Sequence, residues 1–129
     1  MLRPLVEFCA QVYHPLLIEE QEEKLEGLQK IALRIIYGFG MNYCDLLKKA
    51  NLSTLKERRE KAFIKFANQL SQSERFKEWF PLSKDVGMSL RNIKKIEEQY
   101  ARTDRLYRSP LYSMRRALNK EEEDRKTTD

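Results

Sequence analysis

Two amphipathic helical patterns within residues 20–70 place the strongest constraint on how this chain folds. In the first, apolar residues recur at three- and four-residue steps, namely Leu25, Leu28, Ala32 and Ile35, with Ile31 and Ile36 beside them. The second repeats in the same way through Leu55, Ala62, Phe63, Phe66, Ala67 and Leu70. A three-four repeat is typical of a helix with one buried face. Both stripes are therefore predicted to face a core.

Start and stop signals set the ends of these two helices. The first is predicted to run from about Glu19, where acidic residues complement the positive end of the helix dipole, to Tyr37. Gly38 then ends it. The second follows a capping box formed by Thr54 and Glu57 and extends to about Gln72.

Shorter elements are predicted around these helices. A short helix over residues 2–13 ends at His14, because the residue before a proline is disfavoured in the helical conformation. Another short helix follows Asn42, and residues 73–80 add one or two helical turns. Ser109, followed by proline at the first helical position, opens a last short helix.

The chain is expected to form a small all-α domain of about four to five helices with a basic, partly irregular C-terminal arm. Four glycines and four prolines in 129 residues are too few for a loop-rich β architecture. The predicted divisions are a helical domain over residues 1–81, a basic arm with a short terminal helix over 82–118, and a disordered charged tail over 119–129.

Charge and cysteine content indicate the kind of partner and compartment. The formal charge of +5 makes anionic partners plausible. No apolar run predicts a membrane span, and the start of the chain does not resemble a signal peptide. Cys9 and Cys44 show neither metal-site nor disulfide spacing, and both are expected to be buried or half-buried thiols. The prediction is an intracellular protein of the nucleus or cytoplasm, without a membrane partner and not secreted.

No motif predicts a catalytic residue, a metal ligand or a cofactor. His14 has no nucleophile placed near it and is interpreted as structural. Gly38 and Gly40 lack the lysine and the preceding strand of a phosphate-binding loop. Residues 43–46 resemble the tyrosine-x-aspartate-aspartate motif of polymerases, but Leu46 replaces the second carboxylate, so Asp45 is interpreted as a helix cap.

Basic residues are the candidates for binding. Lys30 and Arg34 lie one turn apart on the first long helix, and Arg58, Lys61 and Lys65 share a face of the second. They could follow a nucleic-acid backbone. The alternative is a solvated face with ion pairs between neighbouring turns, such as Glu26–Lys30 and Glu57–Lys61.

The arm adds a second basic segment. From residue 84 to 116 it carries nine basic and four acidic residues, interleaved with Tyr100, Tyr107 and Tyr112. Aromatic faces can stack on unpaired bases while cations hold phosphates, but these tyrosines could equally pack the arm on the helical core. The predicted nucleic-acid-binding residues are Lys30, Arg34, Arg58, Lys61, Lys65, Lys94, Lys95, Arg102, Arg105 and Arg108.

Several segments in a consistent order carry a family resemblance. Residues 3–9, 12–15 and 25–38 resemble consecutive motifs after the polymerase palm of non-LTR (LINE-type, jockey-like) retrotransposon reverse transcriptases. The likeness continues through residues 52–67 and 102–110. It spans residues 3–118, with departures at Gln11, Tyr13 and Ile31, where the family usually has proline, tryptophan and a basic residue.

The resemblance implies a helical thumb and post-thumb segment that helps to hold a template and primer duplex. The palm, with its paired aspartates, and the fingers lie outside this sequence, so the chain is expected not to be an enzyme by itself, although the parent would be an RNA-directed DNA polymerase. The implied partners are RNA, DNA or an RNA–DNA hybrid, together with the missing palm and fingers or a second copy meeting through exposed apolar faces. The alternatives are an orphan remnant, or a protein-interaction module that docks through Phe76, Trp79 and Phe80.

Overall fold

The computed structural model describes residues 7–83 and 95–127, and this part of the chain is all-α, which confirms the predicted class. Its α-helices are α1 (Ala10–Tyr13), α2 (Glu19–Tyr37), α3 (Tyr43–Ala50), α4 (Leu55–Gln72), α5 (Asp104–Tyr107) and α6 (Pro110–Thr127), and its 3₁₀ helices are His14–Leu16 and Glu74–Trp79. An isolated antiparallel bridge joins Leu82 and Ile96. The start of the predicted first helix and residues 84–94 of the arm, with Lys94, lie outside the described residues.

The chain divides into two compact units, Met1–Ala62 and Phe63–Asp129. The division falls within α4. It differs from the predicted boundaries at 81 and 118, because residues beyond both of them take part in the second unit.

The predicted ends of the two long helices agree with the structure. α2 begins at Glu19 and ends at Tyr37. Gly38 follows it with a φ of 96°, a conformation that L-residues rarely adopt and that glycine accepts at a helix end. At the start of α4 the amide of Glu57 donates to Thr54 Oγ1 at 3.2 Å, as expected for a capping threonine.

The stripe predicted to bury α4 is confirmed, but the stripe predicted to bury α2 is wrong. On α4, Leu55, Phe63 and Ala67 are buried. On α2, in contrast, Ile35 is 71% exposed. The buried residues of that helix are Gln29 and Leu33.

Polar groups on the inner side of α2 explain this difference. Glu26 accepts a hydrogen bond at 3.0 Å from the amide of Leu55, the first residue of α4, and another from the Tyr43 hydroxyl. Gln29 donates to the same hydroxyl at 3.0 Å and to the Ser53 carbonyl at 3.3 Å. Glu26 thus bonds across the unit, where the sequence had allowed an ion pair with Lys30. These partners fix the inner face of α2 and leave its isoleucines outside.

The core of the first unit continues from this network into α3. Leu33, Leu46 and Leu47 form a buried cluster, with Tyr37, Tyr43, Ala50 and Leu52 packed against it. α3 ends at Ala50, and Asn51 follows it with a left-handed φ of 52°, which asparagine tolerates. The short helix predicted after Asn42 therefore supplies two of the three buried residues of this cluster.

The second unit is built around a larger apolar cluster. Its buried members are Phe63, Ala67, Phe80, Ile96, Met114 and Leu118. Phe80, predicted to be part of an exposed aromatic anchor, belongs to this core. Trp79 remains 48% exposed and lies 4.8 Å from Phe76, measured between ring centroids.

The predicted disordered tail is instead helical through Thr127. Asn119 is buried at 5% exposure. Its Oδ1 accepts from the Ile96 amide and its Nδ2 donates to the Ile96 carbonyl, both at 3.0 Å, so it pairs with that backbone as a strand would. Glu121 accepts from Asn68 at 2.9 Å, and this bond is the main cause that lowers the pKa of Glu121. Specific partners thus hold a segment that composition alone marks as a charged tail.

None of the helices within residues 7–83 and 95–127 combines the length and apolarity needed to cross a bilayer.

Replacing Glu26 with alanine should destabilise the first unit. The substitution leaves the Leu55 amide and the Tyr43 hydroxyl without their acceptor, and hydrogen bonds to a charged group contribute about 1.5–3 kcal/mol. Urea unfolding followed by circular dichroism measures the change. Glu23→Ala is the matched control, since Glu23 is an exposed acid on the same helix, and it should change stability by less than about 0.5 kcal/mol. Equal losses in the two variants would contradict this role of Glu26.

Candidate anion-binding sites

The predicted basic residues fall into both units. Lys30, Arg34, Arg58 and Lys61 belong to the first unit. Those of the second unit are Lys65, Lys95, Arg102, Arg105 and Arg108. Each group is therefore considered as a site of its own.

Three of these cations already have carboxylate partners. Arg58 makes a two-pronged ion pair with Glu7, at 2.6 Å from Nε and 2.8 Å from Nη2, and these hydrogen bonds raise the pKa of Arg58. Lys95 Nζ lies 2.6 Å from Glu122. Arg108 pairs with Asp104 one turn earlier, at 3.1 Å. A phosphate that binds any of these side chains competes with a carboxylate, so they are weaker candidates than their charge implies.

The remaining predicted cations form no ion pair with a residue in the described ranges. Lys61, Lys65, Arg102 and Arg105 are exposed, and Lys30 is half-buried. These are the cations that an external anion reaches without displacing a carboxylate. Arg34 is also half-buried, and its Nε is buried without a hydrogen-bond partner among the described residues.

The tyrosines of the arm separate into exposed and attached ones. Tyr100 is 88% exposed, so the alternative in which it packs the arm on the core does not apply to it. Tyr107 is 52% exposed, and the guanidinium of Arg116 lies 3.5 Å from its ring centroid. Tyr112 donates to Gln99 Oε1 at 3.0 Å and so connects the arm to α6. Tyr100, Arg102 and Arg105 thus form an exposed aromatic and cationic segment, called here the arm segment.

Sequence reasoning missed Arg59, which is the main polar feature of the first unit. It follows Arg58 on α4 within a run of charged residues, yet it is only 1% exposed. Its Nη2 lies 3.9 Å from a carboxylate oxygen of Glu22, which is too far for a hydrogen bond. Its Nε, Nη1 and Nη2 have no hydrogen-bond partner among the described residues. A clue lay in the helical spacing, because residues 55, 59 and 63 follow one another along the buried side of α4.

A pocket of about 240 Å³ is lined in part by Arg59. Arg58, Arg59 and Lys61 contribute its cations, and Glu7 contributes its carboxylate. Both oxygens of Glu7 accept hydrogen bonds from Arg58. The charged lining of the pocket is therefore predominantly positive.

The charge of Arg59 also acts on its titratable neighbours. Burial lowers the pKa of His14, and the charge of Arg59 lowers it further. Lys56 acts in the same direction, whereas Glu22 and Glu60 raise it. This favours neutral His14, as expected for an imidazole beside a buried cation.

The described residues do not bring together a set of metal ligands. No group of three or more histidine, cysteine or acidic side chains is placed there to hold a metal ion. Cys9 and Cys44 are exposed, so their predicted burial is wrong. Asp45 lies in the first turn of α3 and is exposed, as a helix-start acid would be.

Comparisons with protein-family models, with curated proteins and with solved structures find no match to this chain.

His14 should titrate below the ordinary value of 6.5. Because the folded pKa is the lower one, unfolding takes up a proton when the pH falls below about 6.5. The stability that His14 contributes is therefore complete above the unfolded pKa and is lost as the pH falls through that value towards the folded pKa. His14 is the only histidine in the chain, so an NMR titration of its imidazole measures the folded pKa directly.

Urea unfolding at about pH 7.5 and about pH 5.5 measures the consequence for stability. His14→Gln is the control, and it should lose less stability on acidification than the wild-type chain. A titration midpoint at or above the ordinary value would contradict the placement of His14 beside Arg59.

Proposed function

We propose that this chain is a non-catalytic helical segment that binds RNA, DNA or an RNA–DNA hybrid weakly and without sequence preference. The observation that carries the proposal is the arm segment, in which an almost fully exposed tyrosine precedes two exposed arginines without carboxylate partners among the described residues. An exposed aromatic ring offers a face on which any base can stack. Arginine beside it supplies the phosphate contact.

The resemblance of residues 3–118 to the thumb and post-thumb region of non-LTR retrotransposon reverse transcriptases supports the same proposal. It points to a segment that grips a duplex or its single-stranded extension and contributes no catalytic group of its own. Lys30, Lys61 and Lys65 add exposed or half-exposed positive charge to this activity.

A second candidate function is association with a protein through the outer face of α2. Ile35 and Ile36 are 71% and 70% exposed, and Phe39, just beyond the helix, is 77% exposed. Adjoining exposed apolar side chains often mark interaction surfaces. This face replaces the predicted docking group of Phe76, Trp79 and Phe80, since Phe80 belongs to the core.

Binding to fluorescein-labelled single-stranded and duplex oligonucleotides, measured by anisotropy across a salt series, tests the first candidate. Tyr100→Ala should weaken single-strand binding by about 5- to 150-fold, because stacking contributes roughly 1–3 kcal/mol per base. Tyr100→Phe keeps the stacking surface and should retain the affinity. Arg102→Ala combined with Arg105→Ala should reduce the slope of log K against log salt by about 1.4, or roughly 0.7 for each phosphate contact to a single strand.

Lys77→Ala is the matched charge control, because Lys77 is an exposed cation of the second unit outside the arm segment. It should change the affinity and the salt slope much less than the double arginine variant. Two results would overturn the proposal: no binding at low salt, or equal effects of Lys77→Ala and the arm-segment variants.

A further inference from the structure

We propose that the pocket beside Arg59 in the first unit is a binding site for a phosphoryl oxyanion. The proposal does not rest on the proposed function, since the arm segment belongs to the other unit. It rests on a buried cation whose guanidinium nitrogens have no hydrogen-bond partner among the described residues, and on the pocket that Arg59 helps to line.

Arg59 carries a positive charge that is buried in the first unit. A buried charge is expensive unless it is paired and hydrogen-bonded. Arg59 is 1% exposed, and its three guanidinium nitrogens donate no hydrogen bond to the described residues. Glu22, its acidic neighbour at 3.9 Å, is engaged more closely by Lys56, at 2.7 Å. The guanidinium of Arg59 therefore lies near the Glu22 carboxylate but has no hydrogen-bond acceptor among the described residues.

Arg115 in the second unit shows how a buried arginine is otherwise accommodated in this chain. It is 6% exposed, and its Nε donates to the Trp79 carbonyl at 2.8 Å, although its Nη1 has no partner among the described residues. Arg59 has no such backbone acceptor for any of its nitrogens. An acceptor from outside the chain would satisfy it.

The pocket has the size and charge for that acceptor. Its volume is about 240 Å³, and a water molecule takes up about 30 Å³ in the liquid, so a phosphoryl group fits with several waters. Arg58, Arg59 and Lys61 supply three positive charges against the single carboxylate of Glu7, which Arg58 already holds. A dianion balances the remaining charge better than a carboxylate does. Arginine donors in a planar fork also match the oxygens of a phosphoryl group.

Inorganic phosphate is the probe for this site. Thermal unfolding of the full chain in phosphate, compared with chloride at equal ionic strength, should show a saturable rise in the midpoint, because a ligand that binds only the folded state stabilises it. NMR of the arginine Nε–H groups should show the Arg59 signal shifting in the same titration.

Arg59→Met separates ligand binding from structural support. The variant removes an unsatisfied buried charge and keeps a long side chain, so the chain should unfold without phosphate at the same temperature as wild type or higher. Its phosphate affinity should fall by about ten-fold or more, since charge-assisted hydrogen bonds are lost. Lys48→Met is the matched control, because Lys48 is an exposed cation of the first unit that does not line the pocket. It should keep the phosphate response.

Competition identifies the source of the phosphoryl group. If an oligonucleotide with a 5′-hydroxyl competes with inorganic phosphate for Arg59, the pocket binds a backbone phosphodiester. If only the 5′-phosphorylated form does so, the ligand is a terminal monoester. The proposal is overturned if phosphate stabilises no more than chloride and leaves the Arg59 signal unmoved, or if Arg59→Met responds to phosphate as wild type does.

Discussion

Glu26 accepts a hydrogen bond from the first amide of α4, and much of the first unit follows from that contact. The start of a helix carries unpaired amides and a partial positive charge, so a carboxylate from a neighbouring helix stabilises it in two ways. Glu22, one turn earlier on α2, extends the arrangement by pairing with Lys56 at 2.7 Å and lying near Arg59. Two acids on α2 thus hold the beginning of α4. The side of α2 that carries them must face inward, and its isoleucines therefore face outward.

Hydrophobic periodicity predicted the helices well but chose the wrong face for one of them. The ends of α2 depend on local signals, such as the acids of its first turn and the freedom of Gly38, and these are legible in the sequence. Which face is buried depends on partners far along the chain. Glu26 and Leu55 are 29 residues apart, and no pattern within one helix encodes their bond. On α4 the apolar stripe itself meets the core, so the same reasoning succeeded there.

The sequence predicted the candidate site whose side chains are exposed, but not the one that depends on a buried side chain. Tyr100 and Arg102 were predicted as a binding segment because tyrosines interleaved with basic residues can be read directly from the sequence. Arg59 was not recognised, because a charged residue within a charged run is normally counted as solvated. The pairing of Arg58 with Glu7, 51 residues away, was hidden for the same reason as the Glu26 bond. Asn119 shows the converse, since a polar residue at the edge of a charged segment is buried by its hydrogen bonds to Ile96.

The two candidate sites would therefore respond to their surroundings in different ways. Contacts made by an exposed arm segment are screened by salt. A pocket lined by a buried arginine is screened less and selects a ligand by the geometry of its donors. The first suits sequence-tolerant contact with a polymer, and the second suits a single oxyanion.

Two alanine substitutions on α2 test directly whether the polar side of this helix is the one that faces inward. Urea unfolding should show that Leu33→Ala costs about 2–5 kcal/mol, as expected for a buried leucine, whereas Ile35→Ala changes stability by less than about 0.5 kcal/mol. The two residues are both large and aliphatic and lie on the same helix, so the comparison isolates which face is buried. A large loss for Ile35→Ala with a small one for Leu33→Ala would contradict the account.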